Sequence, residues 1–576
     1  MGKKARKVLG ILALVLGLSA LGSAQTRTLT ILHTNDTHSA MLPFTHQPYP
    51  TPFTWLWPDH RQGWQDEFRG PAGFNREYAG IARMSTLIKK IRATKNNVLA
   101  FHTGDVFVGS FEFNKYLGYP DLKIMENLYD AMAPGNHEFD LSMDLLAAVL
   151  TGTLSDPAVP AVQLPLLNAN YNLAGHALDG LIQESMIKTF DGVKVGIFGI
   201  GNEDETNFSA EMIARFSGNP YEIAGIQAAT LRAAGCQVVI CLSHLGTLLD
   251  IEALSQVPGI DIIVGGHSHE LFRKAVLRNG KIIVQAGSHN RYLGELQVAV
   301  VPGGGVKFLS WKAHEVDKNV KPDPTLKAQL DMIRLGVIAD PRFGDVYGEP
   351  VAYAFRDISQ EWPSVGPNRD APLGNLVSDA MRTALTGAGL PVDCVLDPMG
   401  YTEFGIPAGK IVGNDIMRAV PYGYDPGSGL GFKLVVAPFR GQDILGLLEY
   451  TLTYVEYTDS LCVQPSGLTF AYDSSKNPSP QLGTFSRLDP MSVKIGDEYV
   501  AANLGKVYYV GLTDQVFNYL NNLVGGGLFK IDSGIFEYNA VRDFIESLRF
   551  VSYTSEGRVL DLAPVATAAT GSPRRK

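Results

Sequence analysis

Thr28-Leu29-Thr30-Ile31-Leu32-His33-Thr34-Asn35-Asp36-Thr37-His38 is the stretch on which the reading of this chain turns. Thr28–Leu32 is a short apolar, β-branched run, the pattern of a strand. It leads into Asn35-Asp36-Thr37-His38, where oxygen and nitrogen donors crowd just past the strand end. The pattern recurs in Gly104-Asp105, Gly135-Asn136-His137-Glu138-Phe139-Asp140, Ser243-His244 and Gly265-Gly266-His267-Ser268-His269, each behind a short apolar run. Residues at the C-terminal ends of strands in an α/β sheet converge on one crevice. Such a donor set suits two divalent cations, and paired cations suit hydrolysis of a phosphate ester by water.

Each segment is a weak signal alone. Asp-x-His occurs without metals, and a lone His is usually a packed core or surface residue. Here five strand ends each carry part of the set, which chance explains poorly. Extended backbone points residues i and i+2 to one side, so Asp36 and His38 are expected to grip one ion, and His267 and His269 the same or neighbouring ions. Asp105 has two oxygens with which to bridge ions. Asn136 offers an amide oxygen, and His137 is a candidate proton donor whose ring Asp140 would orient.

Around these segments the chain alternates strands and helices. Strand runs are Thr28–Leu32, Val98–His102, Val193–Gly199, Val238–Leu242 and Ile260–Val264, with helical periodicity over Tyr78–Ile91 and Ala224–Ala234. That alternation predicts a layered α/β fold. Leu42–Asn75, rich in Pro, Trp and other aromatics, fits neither period and reads as a long surface insertion. A hairpin around Gly303-Gly304-Gly305 closes the first domain, and Asp317–Arg342 reads as a charged connecting helix. The second domain is expected to hold helices at Leu373–Leu385 and Gly441–Val455 and strands at Lys433–Ala437 and Lys506–Leu512. All 12 histidines lie at or before His314, so imidazole chemistry belongs to the first domain and recognition to the second.

The 576 residues exceed one ordinary domain. The formal charge of −9 argues against binding a nucleic-acid polymer. Lys3, Lys4, Arg6 and Lys7, then apolar Val8–Leu21, then Gly22-Ser23-Ala24 read as a signal peptide with a small-residue cleavage site. The expected location is secreted or periplasmic, with no stable membrane span after cleavage. Four cysteines form no disulfide framework. Cys236 and Cys241 lie ~16 Å apart along a strand, too far to pair. Cys394 and Cys462 are left open by the sequence.

The ordered set of five segments resembles the secreted bacterial 5'-nucleotidase family of dinuclear metallophosphoesterases. Leu373-Gly374-Asn375-Leu376, Asp379-Ala380-Met381-Arg382, Gly441 and Leu448-Glu449 extend the likeness over nearly the whole mature chain. The resemblance implies an α/β fold: a four-layer metallophosphoesterase-like β-sandwich flanked by helices, then a smaller α/β substrate-recognition domain. The expected division is residues 1–24 signal peptide, 25–315 catalytic domain, 316–343 connector, 344–562 substrate-binding domain and 563–576 tail. It further implies one ion (Mn, Zn or Co) held by Asp36, His38, Asp105 and His269. A second would be held by Asp105, Asn136, His244 and His267, with His137 and Asp140 as the catalytic dyad.

The expected activity is release of phosphate from nucleotides, extending to cyclic nucleotides or nucleotide sugars, by hydroxide held between the ions. The substrate is a small nucleotide or related ester, and the sequence sets no oligomeric state. Asn136, Arg369, Tyr422 and Phe529 are the candidate substrate contacts. The family's Asn-x-Gly-Gly-x-Arg pattern falls on Pro398 to Glu403, so a carboxylate stands where the family has arginine. Two alternatives accompany this reading: a thiosulfohydrolase-type sulfur-ester hydrolase, and a non-catalytic surface-binding protein on the same scaffold.

Overall fold

The computed structural model describes residues 26–45, 77–154, 157–202, 210–301, 305–363, 365–453, 455, 460–479 and 484–563. The expected signal peptide, nearly all of the Leu42–Asn75 insertion and the C-terminal tail lie outside them. The chain divides into two compact units. The first comprises residues through Leu42, Ala79–Phe107 and Gly118–Leu326; the second takes Pro43–Tyr78, Val108–Leu117 and Lys327 onward.

The first unit is built on β1 (Arg27–Thr34), β2 (Val98–His102), β3 (Ala131–Met132), β4 (Leu166–Leu167), β5 (Ile182–Gln183), β6 (Ser185–Phe190), β7 (Val193–Gly201), β8 (Val238–His244), β9 (Ile262–Val264), β10 (Val276–Arg278), β11 (Lys281–Val284), β12 (Tyr292–Val301) and β13 (Gly305–Glu315). One sheet has the order β13-β12-β1-β2-β3-β4-β5, the other β10-β11-β9-β8-β7-β6. In the first, β1 runs parallel to β2, with Thr34 opposite His102, and antiparallel to β12. In the second, β7, β8, β9 and β11 are parallel. Parallel neighbours deliver their C-terminal ends, and the donors beyond them, to one edge.

The two-residue period of a strand explains the layers. Leu29, Ile31, Leu99 and Phe101 of the first sheet meet Val195, Ile197, Val238, Ile240, Ile262 and Val264 of the second. The alternate residues Phe198, Ile200, Val239, Cys241 and Ile263 face outward onto Ala224, Ala228 and Leu231 of the helix Pro220–Ala233. Burying such a side chain contributes about 1.5–3 kcal/mol, so the register is strongly fixed. At Gly199 the sheets approach so closely that a Cβ would lie 1.8 Å from the Leu167 carbonyl oxygen.

Element ends differ from the periodic reading where caps decide them. The helix expected from Ala224 begins at Pro220, because the Asn219 side chain accepts from the N–H groups of Tyr221 and Glu222. The connector helix spans only Pro324–Ile338.

The second unit centres on a five-stranded sheet, in the order Val463–Ser466, Cys394–Pro398, Val507–Thr513, Lys433–Arg440, Ile531–Phe536. Helix Pro372–Gly387 buries Leu373, Leu376, Val377, Ala380 and Met381, the i, i+3, i+4 stripe of an amphipathic helix, against one core cluster. Helix Gly441–Thr451 buries Ile444, Leu445 and Leu448 in another. Phe111, from a short helix embedded in the N-terminal half of the sequence, joins the core of this unit beside Val337 and Val346. All four cysteines, Cys394 and Cys462 included, are buried, and no disulfide joins them among the described residues.

Candidate metal centre

The five segments emerge from the C-terminal ends of β1, β2, β3, β8 and β9. The Asp36–His38 and His267–His269 stretches are not the extended chain that the i, i+2 spacing predicts. Asp36, His38, Asp105, His267 and His269 have φ of 49°, 45°, 55°, 70° and 56°, in the left-handed region that side chains with a Cβ disfavour. Such strain persists only where surrounding structure enforces it, and it gathers at functional sites. Here interlocked loops enforce it. The Asp36 N–H donates to the Gly104 carbonyl at 2.9 Å, the His38 N–H to the Asp105 carbonyl at 3.0 Å, and the His267 N–H to the Asp36 carboxylate at 2.9 Å.

These turns bring the side chains together. His38 Nε2 lies 3.0 Å from His269 Nε2, which lies 3.7 Å from Asp36 Oδ1. His244 Nε2 lies 2.9 Å from Asp105 Oδ2 and 3.2 Å from Asn136 Oδ1. The His244 and His267 rings are 5.2 Å apart. Donor atoms of Asp36, His38 and His269 fall within 4.8 Å of one another, as do those of Asp105, His244 and His267. His38, Asp105 and His137 form a third such group between them. On the one-turn segment His137–Phe139, the spacing of three residues sets His137 Nδ1 2.6 Å from Asp140 Oδ2.

Burial makes this charge set demand a cation. Burial lifts Asp36 to about 6, against the pull of His269 and His244. Burial also opposes ionisation of Asp105, but His244 and His137 hold it well below the usual carboxylate range. Burial depresses His244, yet Asp105 and Asp36 outweigh it and raise the imidazole to about 9. A protonated imidazole thus supplies the positive charge that the buried carboxylates need. A divalent ion in the same space would supply it too, and His244 would then have to be unprotonated to serve as a donor. Mixed carboxylate, amide and imidazole donors fit divalent transition metals.

The sequence did not reveal the groups that hold these loops. Gln285 accepts from Thr247 Oγ1, Ser268 Oγ and the Glu270 N–H through one oxygen, and its amide donates to the Gly266 carbonyl at 2.6 Å. Nothing in the spacing around Gln285 marks it. His289 stacks on His38 with ring centres 5.2 Å apart, its Nδ1 2.6 Å from Ser288 Oγ. Its signal was only that it is one more histidine.

The other candidate contacts belong to the second unit. Arg369 donates to the carbonyls of Gly366 and Asn368 and lies 3.5 Å from Asp561. The Tyr422 hydroxyl donates to Glu403 at 2.9 Å, so the carboxylate that stands in the arginine position is engaged by the expected stacking residue. Phe529 is 65% exposed.

Residues 29–271 match the calcineurin-like phosphoesterase family, and residues 358–518 match the 5'-nucleotidase C-terminal domain. The class so defined is that of metal-dependent phosphoric monoester hydrolases. With both domains in this order, the chain belongs to the 5'-nucleotidase family. It is 25% identical to the 5'-nucleotidase of Mus musculus, across 95% of this chain and 93% of that protein. It is 28% identical to the trifunctional nucleotide phosphoesterase protein YfkN of Bacillus subtilis (strain 168), across 77% of this chain but only 31% of that longer protein. The solved structure of the 5'-nucleotidase precursor from Thermus thermophilus matches with a TM-score of 0.77 at 27% identity, covering 92% of this chain and 99% of that one. The four-layer metallophosphoesterase fold followed by a nucleotidase domain, expected from the sequence, is the fold observed.

Proposed function

We propose that this chain is a secreted or periplasmic two-metal phosphohydrolase that releases inorganic phosphate from nucleotides. The observation that carries the reading is the convergence of Asp36, His38, Asp105, Asn136, His244, His267 and His269 beside the His137–Asp140 pair. Asp36, His38, Asp105 and His269 would hold one divalent ion; Asp105, Asn136, His244 and His267 would hold the other, with Asp105 shared. Manganese, zinc and cobalt all suit these donors. When bound, the ions supply positive charge to the phosphoryl group and make water acidic enough to be a nucleophile near neutral pH.

The chain's own residues do the rest. Asp140 accepts from His137 Nδ1 and fixes the ring. His137 Nε2 is then the atom that steadies charge on the phosphoryl group or gives a proton to the departing alkoxide. Asn136 contributes its side-chain oxygen beside that group. In the second unit Tyr422 and Phe529 are proposed to stack on the base and Arg369 to contact phosphate, each ring contributing on the order of 1–3 kcal/mol. Arg369 would first have to exchange its present carbonyl partners. Neither alternative is favoured: the relatives named above are a nucleotidase and a nucleotide phosphoesterase, and every expected donor is present.

A panel of nucleoside monophosphates, cyclic nucleotides, nucleotide sugars and a sulfur ester, each assayed with Mn²⁺, Co²⁺ or Zn²⁺, tests the reading. Phosphate release from a nucleotide in the presence of metal is expected. Turnover of the sulfur ester alone, or of nothing, would refute it.

A further inference from the structure

We propose that Glu138 is a positioning residue for metal loading: its carboxylate latches the loop after β2 to the loop after β3 and so holds Asp105 and Asn136 in ligating position. Glu138 belongs to the Asn136-His137-Glu138 segment, yet it takes no part in the donor set. It is 1% exposed. Oε2 accepts from the N–H groups of Asp105 at 3.0 Å and Gly135 at 2.6 Å. Oε1 accepts from those of Val106 at 2.7 Å and Phe107 at 3.2 Å. Gly104 and Asp105 have φ of 89° and 55°, and the N–H groups of Asp105, Val106 and Phe107 all turn toward one point. Successive N–H groups arranged in this way form a nest for an anion. The two carboxyl oxygens of Glu138 fill that nest.

The latch is reciprocal. Glu138 accepts from the Asp105 backbone, while Asp105 Oδ1 accepts from the His137 N–H at 3.0 Å. Each carboxylate therefore fixes the backbone that carries the other. Asp105 Oδ2 is thereby aimed at His244 Nε2, 2.9 Å away. An acceptor-only group is required at Glu138, since all four partners are donors. Gln keeps one oxygen but turns an NH₂ toward two of them, leaving buried N–H groups unmatched.

This role rests on the reading that Asp105 and Asn136 hold cations, and the test separates the two. Native protein, Glu138→Gln and Glu138→Asp are stripped with a chelator. Co²⁺ binding is then measured by equilibrium dialysis, with circular dichroism and thermal melting for the fold. Native protein is expected to bind two ions. Glu138→Gln should keep its helical and strand signal while its weaker site loses at least tenfold in affinity. Its lost turnover should return as Co²⁺ is raised, a dependence that simple destabilisation would not give. Glu138→Asp, acceptor-only but one methylene shorter, should recover part of the affinity, and it carries the test if the glutamine variant does not fold. Variants that melt early but bind Co²⁺ as tightly as native protein overturn the proposal. Native protein that binds no Co²⁺ overturns the two-metal reading and this role with it.

Discussion

His137 is the residue whose proposed chemistry a substitution can separate from metal binding. Its Nδ1 is tied to Asp140, while its backbone N–H is tied to Asp105. His137→Ala should retain both ions by elemental analysis and lose roughly 100- to 10,000-fold in kcat, the usual contribution of a positioned general acid. Asp140→Asn should lose less, because an amide oxygen still accepts from Nδ1 without the carboxylate's charge. Loss of metal in His137→Ala would move this histidine into the donor set. At this scale much of the site was legible. Side chains that bind metals are few, and five groups of them behind strand-like runs form a pattern. Their backbone was not legible: the left-handed turns at Asp36, His38 and Asp105 come from contacts between loops distant in sequence. Gln285 and Glu138 escaped for a similar reason, since a side chain that gathers backbone N–H groups obeys no spacing rule.

The strands are where sequence reading succeeds best, because alternation of buried and outward residues is a local property. Val98–His102 coincides with its expected span, and the others differ mainly at their ends. Ends depend on caps and loops, as Asn219 illustrates. The loops are also where single atoms matter most. Gly135 opens the His137 segment, and a Cβ there would lie 2.3 Å from Asp105 Oδ1 and 2.5 Å from His244 Nε2. Those distances are impossible contacts, made with the very atoms that converge at the centre. Gly135→Ala is therefore expected to remain folded, since β3 and its neighbours are untouched. Its metal affinity should fall at least tenfold, read as ions retained after dialysis. A Gly135→Ala protein that keeps its ions would show that the loop yields easily and that the convergence is loose.

At the scale of the molecule, the chain does not divide at a single cut. Val108–Leu117 lies in the N-terminal half of the sequence but packs within the second unit, where Phe111 is fully buried. Periodicity could not announce this, because a six-residue helix carries too little pattern to say which core it joins. Among the described residues no helix is long and apolar enough to cross a membrane. Stability should also respond to pH through a buried acidic pair in the second unit. Asp397 has both oxygens without a partner among the described residues, and Glu537 has one. Burial raises Asp397 from 3.8 to about 7; burial, then the charge of Asp397, pushes Glu537 well above its ordinary value. The folded state therefore holds protons that the unfolded chain releases. Stability from this source is greatest below about pH 4 and falls as pH rises through 7. Asp397→Asn should raise the melting temperature at pH 8 by several degrees and change it little near pH 4. An equal shift at both values would show that the carboxylate is not the cause.

The central claim is that two cations, gathered by Asp36, His38, Asp105, Asn136, His244, His267 and His269, hydrolyse a nucleotide phosphate ester. Its most direct measurement is the metal content of chelator-stripped and Mn²⁺- or Co²⁺-reloaded protein, taken alongside phosphate release from a nucleoside monophosphate. Native protein is expected to lose activity on stripping and to regain it as two ions per chain return, while Asp105→Ala regains neither. Undiminished hydrolysis by the stripped protein, or a native rate in Asp105→Ala, would contradict the account.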